Sequence, residues 1–449
     1  MPKYKSKIDE TSLNPTSKLM RSLYEYILAT DHETHGSSEQ IILDAIKRHH
    51  YAELNAFARI LQNTGQKLPK GDLSSIRAIL IKPVNDACNL RCTYCYEGTA
   101  EARSSGKVMS KAEIKSIISE VLTSPHRDIQ FLWHGGEPLL AGIDFYRYAI
   151  EVQKTANVHG TVIYNAFQTN GLLLDSTWIE FIRENKIGVS LSLDGSKYLH
   201  DINRIDSHGK GTHSRVLTAI NLLQEENMDF NVISVIGSQH EGRAADYWSF
   251  IKNSNIKNFD IHPSNGIGAS EQSPIHPEKF STFVNSIFDY WLNEGDTNIR
   301  IGLFDDFFRL LSGNPPQTCY HAGVCSDIIA VEGNGSVIPC TRPFDRSKYT
   351  FGNIHTENLA SIIASDRFKS FKKMDLYSQS LSKKCRWYEL CHNGCPQQRT
   401  TNGKQDVSGA GYYCQCRTNV DGGYFKIWDH AYKKIEEIFS TSTINPHLF

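Results

Sequence analysis

Residues 77–95 read Arg77-Ala78-Ile79-Leu80-Ile81-Lys82-Pro83-Val84-Asn85-Asp86-Ala87-Cys88-Asn89-Leu90-Arg91-Cys92-Thr93-Tyr94-Cys95. The apolar run Arg77–Val84 predicts a strand, and it leads directly into three cysteines spaced C-x3-C-x2-C. Three thiolates on one short loop hold three irons of a cubane iron–sulfur cluster, which ordinarily takes four cysteines. The absent fourth ligand leaves one iron open to a small molecule. The rival reading is structural zinc, which prefers four protein ligands and paired C-x2-C spacing.

Further along, short apolar runs alternate with amphipathic stretches. The runs are Ile129–His134, Val162–Gln168, Gly188–Leu193, Asn231–Ile236 and Phe259–His262. Ser110–Leu122, Asp144–Thr155, Ser176–Asn185, Thr212–Glu226 and Ala244–Asn253 lie between them with helical spacing. This alternation predicts successive βα units and a parallel sheet. Six units are too few for an eight-stranded barrel, so an α/β open or partial barrel is expected, with ligands at the carboxyl ends of its strands. The expected organisation is a helical extension over 1–72, the barrel over 73–312 and a small cysteine-rich domain over 313–449. In the last, Gly333-Asn334-Gly335 between Ile328–Glu332 and Ser336–Cys340 predicts a hairpin, and 421–439 predicts a closing helix. Its apolar core is thin, the kind that needs metal or covalent staples.

The chain has 449 residues, 48 Lys+Arg against 49 Asp+Glu, and a net charge of −1, which argues against nucleic-acid or membrane-surface partners. No run of about 18 apolar residues is present to span a bilayer. The first residues do not read as a secretory signal, so the cytosol is expected. There the 11 cysteines are unlikely disulfide partners. They bunch at 88–95 and 319–416, as clustered ligands do.

The Cys88–Cys95 motif resembles that of radical S-adenosylmethionine (SAM) enzymes. The resemblance implies that Cys88, Cys92 and Cys95 bind a 4Fe–4S cluster whose open iron takes the amino and carboxylate groups of SAM. It also implies that Tyr94 contacts the adenine. His134-Gly135-Gly136-Glu137-Pro138 matches the family's glycine-rich turn. Glycine permits close backbone approach to a ligand, and Glu137 is expected to accept from an ammonium. By similarity, Ser192 contacts the cofactor ribose and Arg204 its carboxylate.

The second cysteine group resembles the SPASM domain of radical SAM enzymes that act on peptides and proteins. The resemblance implies two auxiliary 4Fe–4S clusters, making three in all. Cys319, Cys325, Cys340 and Cys395 would hold one. Cys385, Cys391 and Cys414 would hold part of the other. The family pattern has a cysteine where this chain has Ser382, and Cys416 is an extra cysteine able to replace it. If Cys416 does not ligate, one iron of that cluster stays open.

The expected activity is generation of a 5′-deoxyadenosyl radical that takes hydrogen from a residue of a ribosomal precursor peptide. The expected product is an intramolecular crosslink from Cβ to an aromatic carbon or heteroatom. An external donor such as flavodoxin or ferredoxin would supply electrons. The alternative is anaerobic sulfatase maturation, oxidising Ser or Cys to formylglycine. That group carries an Asp directly after the hairpin cysteine, whereas this chain reads Cys340-Thr341-Arg342-Pro343. A non-catalytic electron carrier is a third class, disfavoured because it has no use for the Gly135-Gly136-Glu137 and Arg204 motifs. No catalytic base is assigned. Asp305 and Asp306 read as a solvated helix face or cap, and His392 as an exposed loop residue.

Overall fold

The structure, a computed structural model, describes Ser38, Ile42, Asp44 and Ala45, and residues 73–97, 107–264, 274–296, 298–311, 314, 316–323, 325–401, 404–411, 413–414 and 421–441. Most of the expected helical extension over 1–72 lies outside the described residues. Of the four described there, Ile42 and Ala45 are fully buried in the main core.

All six expected runs form strands: β1 (Ala78–Ile81), β2 (Asp128–Trp133), β3 (Val162–Thr169), β4 (Gly188–Ser192), β5 (Asn231–Ile236) and β6 (Asn258–Pro263). They pair in parallel in that order, and a two-residue β7 (Arg300–Ile301) follows at the far edge. The crossovers are helical: α1 (Lys111–Thr123), α2 (Ile143–Ala156), α3 (Ser176–Glu184), α4 (Lys197–Asp201), α5 (His213–Glu225) and α6 (Ala244–Asn253). Helix α1 shows why these segments coil. The Ser110 hydroxyl accepts from the Glu113 amide at 3.2 Å, and the Glu113 carboxylate accepts from the Ser110 amide at 2.6 Å. This reciprocal cap satisfies two N-terminal amides. Ile114, Ile117, Ile118, Val121 and Leu122 then bury one face, at the spacing of a single helical stripe. Two further helices, α7 (Pro277–Glu294) and α8 (Gly302–Leu311), carry the chain to the auxiliary region.

The sheet does not stop at the expected domain boundary. The hairpin forms as β8 (Ile328–Val331) and β9 (Ser336–Ile338), and β8 also pairs in parallel with β1, Ala78 opposite Ile328 and Ile81 opposite Val331. With β10 (Gly352–Asn353) the result is one ten-stranded sheet, ordered β10-β9-β8-β1-β2-β3-β4-β5-β6-β7. The pairing is intelligible from burial: Ile329, Ala330 and Val331 are completely buried, and β1 would otherwise present a long apolar edge. Beyond it, β11 (Arg399–Thr401), β12 (Lys404–Gln405) and β13 (Ala410–Gly411) form a small antiparallel sheet. The closing helix spans Tyr424–Thr441, near its expected place, and packs on α7.

Candidate active site

The loop after β1 is held by backbone bonds from two directions. The Arg91 amide donates to Ile205 O at 2.7 Å and the Thr93 amide to Asn203 O at 2.9 Å. On the other side the Gly136 amide donates to Asn85 O at 2.9 Å and the Glu137 amide to Ala87 O at 2.7 Å. This strap requires glycine: a Cβ on Gly136 would lie 2.0 Å from Ala87 O, and Gly135 has φ +114°.

Both flanks of the loop converge on Lys82, at the end of β1. Its Nζ lies 2.7 Å from Asp86 Oδ1, 2.6 Å from Glu97 Oε2 and 3.4 Å from Glu332 Oε1. Glu332 follows β8 and also pairs with Arg346 at 3.0 Å. One buried ammonium thus ties the residues before Cys88 and after Cys95 to the auxiliary hairpin. Burial pushes the Glu97 carboxyl up to about 7, against the opposing pull of Lys82.

These elements enclose a cavity of about 250 Å³ at the carboxyl ends of the strands. Cys88, Cys92 and Cys95 line it together with Tyr94, Gly135, Gly136, Ser192 and Arg204. Eight of the nine site residues expected in the barrel therefore share one chamber. The Tyr94 hydroxyl donates to Asp194 Oδ2 at 2.6 Å, and Arg204 pairs with both oxygens of Asp194 through Nε at 2.9 Å and a terminal nitrogen at 3.1 Å. Arg204 also stacks 5.4 Å from the Tyr94 ring centroid. The pairing is buried, not at the surface. Gln168 donates to Ser192 Oγ at 3.2 Å.

Glu137 is the exception. It is fully buried and does not line the cavity. Its carboxylate accepts from the Leu139 amide at 3.0 Å, the Thr169 hydroxyl at 2.7 Å and the Asn170 amide at 2.8 Å. The expectation that it faces an ammonium is corrected: Glu137 braces the end of β3 from behind the wall. Burial pushes its carboxyl up to about 7. Asn170, so placed, turns its side-chain amide toward Asn89 Oδ1 at 2.7 Å and Cys88 Sγ at 3.8 Å.

In the auxiliary region, burial and the neighbouring sulfurs of Cys340, Cys395 and Cys319 push the Cys325 thiol up, so these four share one neighbourhood. Burial likewise raises Cys319 to about 11 and Cys340 to about 12. Cys391 lies near Cys414 and is raised to about 12, mainly by burial. Cys385 is disulfide-bonded in this structure. Cys416 lies outside the described residues. Among the described residues, no three His, Cys, Asp or Glu side chains converge on a position for a single metal ion.

Two other readings change. Asp306 is buried, not solvated, and accepts from the Gln317 amide at 2.7 Å and His321 Nδ1 at 3.2 Å, bracing the turn before Cys319. Asp305 pairs with Arg300 at 2.7 Å. His392 sits at φ +46° and bonds His321 O at 2.6 Å through Nδ1. Sequence reasoning missed Lys82, Glu97, His134, His262, Arg342, Gln397 and Gln398. All but Lys82 line the cavity. The one signal for Lys82 was a charge within an otherwise apolar run.

A model of the radical SAM superfamily matches residues 83–244, and a model of an iron–sulfur cluster-binding domain, SPASM, matches 319–396. A cysteine-type anaerobic sulfatase-maturating enzyme from Clostridium novyi is 31% identical over 335 residues, covering 72% of this chain and 89% of the relative. A serine-type counterpart from Bacteroides thetaiotaomicron is 29% identical over 376 residues, covering 79% and 89%. The solved structure of native anSMEcpe with bound AdoMet and Cp18Cys peptide superposes with a TM-score of 0.69 at 28% identity, covering 81% of this chain and 99% of that one. The chain belongs to the radical SAM enzymes with a C-terminal SPASM domain.

Its cofactors are SAM and multiple 4Fe–4S clusters. The residues fit them. Three thiols line one chamber together with glycine backbone, a hydroxyl and a guanidinium. A Cβ on either glycine would press on the cysteine loop, so the close approach is built in.

Proposed function

We propose that this enzyme oxidises a Cys or Ser side chain of a peptide or protein at Cβ, the chemistry of anaerobic sulfatase maturation. The observation that carries the reading is the single cavity bounded both by the Cys88–Cys95 loop and by auxiliary residues Arg342, Pro343, Gln397 and Gln398. A substrate seated there lies between the radical source and the auxiliary cysteines. The relatives bearing the sulfatase-maturating name support the substrate class. This replaces the crosslinking expectation as the first reading.

When bound, SAM and its cluster supply a 5′-deoxyadenosyl radical that takes one hydrogen atom. Cys88, Cys92 and Cys95 hold that cluster, and Arg204, fixed by Asp194, takes the cofactor carboxylate. Tyr94 and Ser192 take its adenine and ribose. Cys319, Cys325, Cys340 and Cys395 would hold one auxiliary cluster, and Cys385, Cys391 and Cys414, with Cys416, a second. The enclosing walls keep water from the intermediate. A flavodoxin or ferredoxin is the proposed electron donor.

One observation favours crosslinking as a second reading: Thr341, buried and outside the cavity lining, stands where the sulfatase pattern carries its Asp. Anoxic incubation with SAM, reductant and Cys- or Ser-containing peptides separates them. Formylglycine yields an aldehyde that reacts with a hydrazide. A crosslink loses two hydrogens and yields no aldehyde. Absence of 5′-deoxyadenosine would remove both.

A further inference from the structure

The auxiliary wall of the cavity carries two hydrogen-bond donors, the Arg342 guanidinium and the Gln397 amide, beside Gln398, whose amide donates to the Tyr320 hydroxyl at 3.4 Å. The Arg342 guanidinium lies 4.3 Å over the ring of Tyr320, which stacks on His262 with centroids 4.8 Å apart. Its charge neighbours are Tyr320, Tyr96 and the sulfurs of Cys395 and Cys319, and no carboxylate pairs with it among the described residues. Gln397, only 1% exposed, lines the same wall with its Nε2 unpartnered. His134 Nδ1 accepts from the Gly135 amide at 2.6 Å, which leaves Nε2–H as a further donor. Burial pushes both His134 and His262 down to about 3, so neither adds charge near neutrality. Glu97 is the one carboxylate lining the cavity among the described residues, and its Oε2 is already held by Lys82.

A fixed positive charge and an orphaned amide N–H on one enclosed wall are costly unless an acceptor enters. A guanidinium matches a carboxylate in bidentate geometry. We propose that Arg342 and Gln397 form a substrate subsite that binds a carboxylate of the peptide, either an acidic side chain close to the oxidised residue or the chain terminus. The inference rests on the peptide-oxidation reading. It places substrate recognition one residue past Thr341, the position where the sulfatase pattern has its acid.

The test uses the full-length, anoxically reconstituted enzyme with SAM and a displayed library of peptides. Each peptide carries one fixed Cys or Ser among random neighbours and is offered as the C-terminal acid and as the amide. The expected result is at least a tenfold enrichment among modified peptides of Asp or Glu over Asn or Gln at one fixed distance from the target, or of acid over amide. The two arms identify which carboxylate is used. Arg342→Gln should abolish the preference, Arg342→Lys should retain part of it, and Gln397→Ala should weaken it. Modification by wild type without any acidic preference overturns the subsite, and this readout does not depend on a variant folding. An unchanged preference in Arg342→Gln, with a shifted auxiliary-cluster potential, assigns the guanidinium to the thiolates instead and also overturns it. SAM cleavage without modification of any library member defeats the peptide-oxidation reading itself.

Discussion

The two cysteine regions are built on opposite plans. The Cys88–Cys95 loop is positioned by the protein: backbone bonds from Asn203 and Ile205 on one side, the Gly136–Glu137 strap on the other, and Lys82 across both flanks. The auxiliary region has strands of only two or three residues at β11, β12 and β13, and its thiols crowd one another. The first is a preorganised socket. The second relies on its ligands as framework, as small metal domains do. The contrast teaches that the auxiliary region should depend on ligation for its stability more than the Cys88–Cys95 loop does.

That contrast breaks or sharpens under four experiments. Replacing Cys88 with Ala should cut 5′-deoxyadenosine formation by about a thousandfold or more while the auxiliary clusters stay visible by electron paramagnetic resonance. Loss of all clusters together would show that the regions are not independent. Chelating iron should expose 385–414 to protease well before β2–β5, because local stability there depends on ligation. Simultaneous cleavage would remove the distinction.

Lys82→Met leaves Asp86, Glu97 and Glu332 without their shared cation, and denaturant unfolding should show a loss of about 3–5 kcal/mol. Lys82→Arg should recover part of it. The smallest effect concerns pH. Glu137 has its carboxyl raised from 4.5 to about 7, so its protonated form is favoured by folding. Its contribution is fully present below about 4.5 and is lost as pH rises through about 7. Wild-type stability should therefore fall by roughly 1–3 kcal/mol across that window, and Glu137→Gln should flatten the slope. Parallel curves would show that the group is not perturbed.

Much of this was legible in the chain. The six strands announced themselves because each alternates with an amphipathic helix, and the C-x3-C-x2-C run followed the first of them directly. The cavity-facing roles of Tyr94, Ser192 and Arg204 came from motif position, since nothing in a single Arg or Ser distinguishes wall from surface. What stayed hidden depends on pairing between distant segments. Gly333-Asn334-Gly335 predicts the hairpin that joins Ile328–Val331 to Ser336–Ile338 but says nothing about β1. Asp306 looked like a solvated carboxylate because its four donors lie 11 to 15 residues away. Glu137 was misplaced because a motif states which residue is required, not which way its side chain turns.

The β1–β8 ladder carries a mechanical consequence. A hinge between barrel and auxiliary region would have to unzip four parallel residue pairs, Ala78–Ile81 against Ile328–Val331, three of them buried on both strands. The two halves therefore move as one plank. Tension applied between Ala78 and Ile338 should be borne in shear along the strands before any opening occurs.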